Sequence, residues 1–169
     1  MVKHSQLFID SLIHPKKLAA YRLLTIGKTI QYVFLLIAVI SIFSFSQFLS
    51  GVSESIYNIE GLTEYVEDIQ WLLYPFAFIL QTIMTTILLF VKISIYAFIG
   101  VVLLKLMSRR GEYRHMWRTA ALAITWGTLL TILFSIIQLS NSLSTLIEAI
   151  ITIFILALSS IKYPKIPKK

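Results

Sequence analysis

Two ionisable residues, Lys92 and Glu148, lie within long apolar stretches of the sequence. A charged side chain inside a bilayer is costly, so such residues usually pair with one another or mark a functional path. At a rise of about 1.5 Å per helical residue, the two residues fall at overlapping depths on different predicted helices. Because their charges are opposite, the sequence predicts an ion pair that neutralises both.

Both residues belong to polar stripes with helical spacing. The stripes comprise Gln81, Thr85 and Lys92 on the second apolar stretch, Thr131 and Gln138 on the third, and Thr145, Glu148 and Thr152 on the fourth. We expect the three polar faces to converge inside a helical bundle. The pair then serves either as the centre of a polar path or small-solute site, or as a structural contact that fixes helix packing. The structural contact is favoured, because no inverted repeat or broken-helix pair of a transporter is visible.

Basic residues interleave with aromatic ones between residues 105 and 118, a pattern that also occurs in proteins that bind nucleic acid. This segment is short and lies between two apolar stretches, where phospholipid headgroups are the nearest anions. Contact with lipid headgroups is therefore favoured, and nucleic acid is not an expected partner.

Catalytic signatures are missing from the sequence. It contains no Cys, no HExxH, no GxSxG and no Walker loop. His4, His14 and His115 are too widely scattered to predict a metal site. The acidic residues between positions 54 and 68 do not match the alternating ligands of a calcium loop, and their spacing favours one solvated face of an exterior amphipathic helix. We expect neither an enzyme nor a bound metal or cofactor.

The composition indicates the setting of these residues. The chain of 169 residues is 57% hydrophobic and 14% charged, with a mean hydropathy of +0.83 and a formal net charge of +7. Soluble domains average about 45–50% apolar and about 25% charged residues. The apolar stretches are too long for a globular core, and the lack of Cys excludes a disulfide scaffold. The sequence predicts a polytopic membrane protein.

Four apolar stretches predict four transmembrane helices in a single all-α domain, residues 1–169. The predicted spans are residues 29–49, 71–105, 119–139 and 143–161. A hydrocarbon core about 30 Å thick needs roughly 20 helical residues, and lipid requires the backbone to satisfy its own hydrogen bonds. The flanking segments are an amphipathic arm at 5–28, an acidic outer loop at 50–70, a basic loop at 106–118 and a basic tail at 162–169.

The second stretch is long enough to form two short crossings joined near Lys92, and the placement of charge decides against that alternative. All but Lys92 of the 15 Lys and Arg residues fall within residues 3–28, residues 105–118 or the tail. With four crossings these segments share one side, which the positive-inside rule makes cytoplasmic. Both termini are then cytoplasmic, and the second helix must tilt or project from the bilayer. Pro75 suits the first turn of that helix.

The arm is expected to begin with a short amphipathic helix. Polar residues alternate there with Leu7, Phe8, Ile9, Leu12 and Ile13 before His14-Pro15 breaks the pattern. Such a helix can lie on the cytoplasmic leaflet with its basic residues near anionic headgroups. A docking helix for a cytoplasmic partner fits the same pattern, and the surface helix is favoured.

Two stretches carry a resemblance to a known family, residues 14–41 and 111–137. The matching positions are Pro15, Lys16, Lys17, Arg22, Gly27, Lys28, Tyr32, Tyr113, Arg114 and Trp117. The chain resembles an uncharacterised integral membrane family of Gram-positive bacteria, in which some members are labelled maltodextrin-utilisation proteins. Typical members have a longer segment between the first two crossings. The resemblance implies a location in the bacterial cytoplasmic membrane and names no reaction.

The resemblance also implies that the basic residues beside the membrane form one surface. We call this surface the basic platform, and it comprises Lys16, Lys17, Arg22, Lys28, Arg109, Arg110, Arg114 and Arg118. A platform of this kind suits an anionic lipid surface or an acidic partner protein.

These features predict a non-enzymatic accessory or scaffold subunit of a larger membrane assembly. The expected partners are the lipid bilayer and either another membrane protein or a second copy of this chain. The alternative function is a small transporter or channel subunit that uses Lys92 and Glu148.

Overall fold

The computed structural model describes residues 3–57 and 62–166, and within these the side chains of residues 52–57 and 62–67 are not described. The elements are α1 (His4–Ile13), a 3₁₀ segment (Pro15–Leu23), α2 (Ile26–Tyr57), α3 (Leu62–Leu106), α4 (Tyr113–Ile136) and α5 (Asn141–Ser160). Within these residues the one β-type pairing is an isolated bridge between Arg109 and Lys165. The predicted all-α class is confirmed.

Four helices of the described part of the chain are long and apolar enough to cross a membrane. These spans are Ile26–Gly51, Asp68–Leu106, Tyr113–Ile136 and Asn141–Ser160. Helix α3 continues without a break past Lys92, so the alternative of two short crossings joined there is wrong. The chain is a multi-pass membrane protein with four spans.

Helices α2 and α3 extend well beyond the predicted spans. They contain 32 and 45 residues, and both enter the segment 50–70 that the sequence predicts as a loop. At about 1.5 Å per residue, α3 is about 68 Å long, roughly twice the thickness of a hydrocarbon core. Residues 58–61 lie outside the described residues, as do the neighbouring acidic side chains up to residue 67. The predicted acidic face therefore stays a prediction.

Pro75 lies in the interior of α3, and its expected place in the first turn is wrong. The helix begins earlier, at Leu62, because the residues before Trp71 also favour helix and include Glu and Asp, which suit a helix N-terminus. Proline has no N–H, so the carbonyl of Trp71 loses its usual partner four residues later.

The chain divides into two compact units, of which one comprises Ile37–Leu89. This unit joins the second part of α2 to the first part of α3. Phe45 stacks on Phe48 with ring centroids 6.1 Å apart and meets Phe78 edge-on at 5.1 Å. These aromatic contacts hold the two helical segments together.

The other unit comprises Met1–Leu36 and Phe90–Lys169 and is built around α4. Every residue of α4 from Thr119 to Thr125 is buried. The arm, through α1 and the 3₁₀ segment, packs on α4, as does α5. Small side chains in this stretch, such as those of Ala120 and Ala123, allow neighbouring elements to approach closely.

The N-terminal arm begins with a short helix, in the place that the pattern of residues 7–13 predicts. Helix α1 ends at Ile13, and a 3₁₀ segment of nine residues follows. Proline disfavours helix at the residue before it, so the helix cannot continue through His14 and Pro15. Leu7 and Leu18 are buried within the unit, whereas Ile9 and Ile13 are exposed. For these exposed residues, the surface and docking interpretations stay predictions.

A chain of buried hydroxyl groups fixes α1 to α2 and α4. The Ser11 hydroxyl lies 3.1 Å from the Tyr32 hydroxyl, which lies 2.7 Å from that of Thr125. The indole N–H of Trp126 donates to the carbonyl of Leu12 at 2.9 Å. Buried polar groups need hydrogen-bond partners, so these contacts define where α1 can sit.

The buried carboxylate of Asp10 ties α1 to the 3₁₀ segment. It accepts hydrogen bonds from the Tyr21 hydroxyl at 2.5 Å and from Lys17 Nζ at 3.2 Å, and His14 Nδ1 lies 3.1 Å away. The hydrogen bond from Tyr21 is the main cause that lowers the pKa of Asp10, against burial and together with the charges of Lys17 and His14. Burial, with the bond to Asp10, raises the pKa of Tyr21 to about 12.

We predict that the arm loosens in acid. The pKa of Asp10 in the folded protein lies below its ordinary value of 3.8, so the carboxylate contributes stability above that value and loses it as the pH falls through the folded-state pKa. Hydrogen-exchange protection of α1 and the 3₁₀ segment should fall below about pH 4. Asp10→Asn should reduce that protection already at neutral pH, by about 1–3 kcal/mol. The exposed Asp68→Asn is the matched control, and equal protection in both variants would contradict the prediction.

Candidate functional site

Lys92 on α3 and Glu148 on α5 form an ion pair through Nζ and Oε1. The structure thus contains the ion pair that the sequence predicts from the overlapping depths and opposite charges of these two residues. The exposed fraction of the Glu148 side chain is 4%, whereas that of Lys92 is 37%. The carboxylate is therefore inside the unit, and the ammonium group reaches it from a partly exposed position.

Hydroxyl groups complete the surroundings of Glu148. Thr131 Oγ1 donates to Glu148 Oε2 at 3.1 Å, and Thr152 Oγ1 donates to the backbone carbonyl of Glu148 at 2.9 Å. Tyr96 on α3 is buried and lies beside the side chain of Thr152. We call Lys92, Tyr96, Thr131, Glu148 and Thr152 the polar cluster. It links three helices with partners for a carboxylate that is costly to bury alone.

The absence of a side chain at Gly127 makes room for this cluster. A Cβ atom on Gly127 would lie 2.7 Å from Cγ and 2.8 Å from Oε1 of Glu148, and 2.9 Å from Oγ1 of Thr152. These distances are too short for non-bonded atoms, so α4 and α5 approach closely only because this residue is glycine.

Only part of the predicted polar stripes enters the cluster. Thr131 and Thr152 contact Glu148, whereas the exposed side chains of Thr145 and Gln138 lie outside the polar cluster. Thr145 satisfies its hydroxyl locally, by donating to the carbonyl of Asn141 at 2.8 Å. Gln138 lies beyond the end of α4 at Ile136, with φ of 54°, and no longer follows the helical face. Gln81 and Thr85 are half-buried in the unit Ile37–Leu89.

We predict that Gly127→Ala destabilises the protein. The added methyl group would force α5 away from α4, and overpacking of this kind costs about 1–3 kcal/mol. The thermal unfolding temperature in detergent should fall. Gly27→Ala is the matched control, because a Cβ on this helical glycine meets nothing within 4 Å, and alanine favours helix. An equal unfolding temperature for the two variants would show that the close approach at Gly127 is unimportant.

At one end of the same unit, Tyr163 brings together three residues of the basic platform. The Arg22 guanidinium lies over the Tyr163 ring, 5.2 Å from its centroid. Arg109 Nη1 donates to the Tyr163 carbonyl at 2.8 Å, and Arg118 Nη1 donates to the Arg22 carbonyl at 2.9 Å. Because these residues come from the arm, the basic loop and α4, the contacts gather the basic segments around the tail.

Tyr163 itself is buried, and its hydroxyl lies 2.7 Å from Thr119 Oγ1. Burial raises the pKa of Tyr163, although the hydrogen bond with Thr119 and the charge of Arg22 act in the opposite direction. A Cβ on Gly111 would lie 3.1 Å from the ring, so the basic loop also packs tightly on it. No motif or periodic pattern in the sequence singles out Tyr163. The available signal is that Tyr163 is the one aromatic residue of the tail 162–169.

The other platform residues have different surroundings. Lys17 contacts Asp10, and Arg114 pairs with Glu112 at the start of α4. The remaining three are Lys16 and Arg110, which are exposed, and Lys28, which is half-buried. The platform thus combines arginines held by internal contacts with exposed cationic groups.

No group of three or more His, Cys, Asp or Glu side chains that could hold a metal ion occurs in the part of the chain that the structure describes. Of the histidines, His14 contacts Asp10, and the His115 carbonyl accepts a hydrogen bond from Thr119 at 3.2 Å. These contacts connect neighbouring turns of the same elements.

A family model described as protein of unknown function (DUF1189) matches residues 58–160 of the chain. The match covers more than half of the chain. It includes the stretch 111–137, one of the two that carry the resemblance described above, and not the stretch 14–41. No curated protein and no solved structure matches the chain.

Proposed function

The chain belongs to the DUF1189 family of proteins of unknown function, and we propose that it is a non-enzymatic accessory or scaffold subunit of a larger membrane assembly. In this proposal the basic platform faces the cytoplasm of a bacterial cell and holds a partner protein or anionic lipid. The non-enzymatic part rests on the lack of catalytic motifs in the sequence. The membership agrees with the resemblance to an uncharacterised family, whereas a Gram-positive source and a link to maltodextrin import stay predictions.

The contacts of Tyr163 are the observation that carries this proposal. Through its ring and carbonyl, this buried residue connects Arg22 and Arg109, and Arg118 is joined to Arg22. Cations held in fixed positions lose little conformational entropy when an anionic partner binds. They also favour partners of matching charge and fast association. A platform held in this way suits a protein whose task is to position another component.

The exterior of the spanning helices also supports a role in an assembly. Large apolar side chains such as Phe98 on α3 and Ile150 on α5 are 65% and 66% exposed. Such side chains suit contact with lipid tails or with helices of another membrane protein, where association depends on packing. The proposed partner is accordingly another membrane protein or a second copy of this chain.

The alternative, a transporter or channel subunit that uses Lys92 and Glu148, has less support. The two charges neutralise each other, and the hydroxyl groups of Thr131 and Thr152 are bonded to protein atoms. Even one additional methyl group at Gly127 would clash with Glu148 and Thr152. A solute has no room at that position, so the cluster is better suited to fixing the helices.

We predict that a membrane protein partner co-purifies with the chain in mild detergent and depends on the platform. Affinity purification from native membranes, followed by quantitative mass spectrometry, should detect the same partner reproducibly. Lys16→Gln and Arg110→Gln should each lower its recovery about fivefold, because a charge at the rim of an interface is worth about 1 kcal/mol. Lys3→Gln removes an exposed charge outside the platform and should leave recovery unchanged. A partner-free monomer, or equal recovery from all variants, would contradict the proposed function.

A further inference from the structure

Two short segments meet at what we call the tail–loop junction, residues 107–112 and 161–166. The Arg110 N–H donates to the Pro164 carbonyl at 2.8 Å, and the Ile166 N–H donates to the Ser108 carbonyl at 3.1 Å. These bonds place Arg109 opposite Lys165 in an antiparallel bridge. The backbone therefore holds two cationic residues face to face.

Like charges placed directly opposite one another in such a bridge are destabilising. Nearby residues add to the positive charge, since Arg110 and Lys162 are exposed in the same two segments. The one acidic residue of these segments, Glu112, is paired with Arg114. The junction thus carries an excess of positive charge that a bound anion would relieve.

Apolar side chains lie between these cations and are exposed. Leu106, which directly precedes the junction, is 77% exposed, Ile161 is 40% exposed and Ile166 is 52% exposed. Basic groups mixed with large apolar side chains are typical of segments that lie at the boundary between headgroups and acyl chains. Exposed apolar side chains of this size do not contribute to binding a soluble acidic protein, and they therefore favour contact with a membrane.

The junction also lies directly at the ends of two membrane spans. Helix α3 ends at Leu106, and α5 ends at Ser160, so each segment begins where a span leaves the bilayer. Phospholipid phosphates occupy this level of a membrane, and Lys and Arg beside a span are attracted to anionic headgroups.

We propose that the tail–loop junction is a binding site for the phosphate of an anionic phospholipid, with the side chains of Arg110 and Lys165 as the donors. The inference rests on the proposed function, because it names the ligand of one part of the basic platform and extends that part to the tail. The exposed apolar side chains of the junction insert among the acyl chains of the same leaflet. Bound lipid then holds the tail against the basic loop.

The test uses the purified full chain in nanodiscs made of phosphatidylcholine with a minor fraction of phosphatidylglycerol. Native mass spectrometry measures the ratio of the two lipids that stay bound when the chain is released. The wild type should be enriched in phosphatidylglycerol. Arg110→Gln/Lys165→Gln should reduce the enrichment roughly 25-fold, because each basic residue near an anionic surface contributes about a factor of five. Lys3→Glu changes the net charge by the same two units at an exposed residue outside the platform and should leave the enrichment unchanged.

Three results would overturn the inference: no enrichment in the wild type, an equal loss in the junction variant and the Lys3→Glu control, or displacement of phosphatidylglycerol by excess inorganic phosphate. Unfolding temperatures of both variants check folding, which should survive because the junction is held by backbone groups of Arg110 and Ile166. Partner recovery is measured separately. A platform-dependent partner without lipid enrichment removes this inference and leaves the proposed function in place. Lipid enrichment without any partner removes the proposed function and leaves this inference in place.

Discussion

The burial of one carboxylate, that of Glu148, is the constraint on which the membrane part of this fold depends. An uncompensated charge at this depth would be strongly destabilising, so the neighbouring helices must supply partners. Lys92 supplies the opposite charge from α3, and Thr131 supplies a hydrogen bond from α4. Gly127 removes the side chain that would keep α5 away. Because each partner comes from a different helix, the register of the three helices is fixed by one acidic group.

The same helix, α4, connects this cluster to the basic end of the unit. Its buried stretch Thr119–Thr125 contacts Tyr163 at one end through Thr119, and Tyr32 of α2 at the other end through Thr125. Cationic side chains far apart in the sequence are thereby held near one another by backbone carbonyls and an aromatic ring. These groups attract cations but carry no net charge, so the positive charge is not neutralised. Neutral packing inside and uncompensated positive charge at one end are the two properties from which the proposed role as a scaffold follows.

The sequence predicts the parts of this arrangement that depend on periodicity and on charge. The four spans and the partnership of Lys92 with Glu148 follow from apolar length, helical rise and opposite sign. It does not predict what depends on the ends of helices or on distant contacts. Gln138 leaves the polar face because α4 stops at Ile136, and Thr145 bonds to its own helix. The packing of the arm on α4 and the position of Tyr163 depend on partners about 44 to 114 residues away, which no local pattern reveals.

A double-mutant cycle on Lys92 and Glu148 tests the central claim most directly. Reversible unfolding in mixed micelles gives the free energy of unfolding for Lys92→Met, Glu148→Gln and the double variant. Lys92→Met should cost about 3 kcal/mol or more, because it leaves a buried carboxylate alone, and the double variant should lose less than the sum of the singles. The exposed pair of Arg114 and Glu112 is the control and should show a coupling of less than about 1 kcal/mol. Additive losses at Lys92 and Glu148, or single variants as stable as the wild type, would contradict the account.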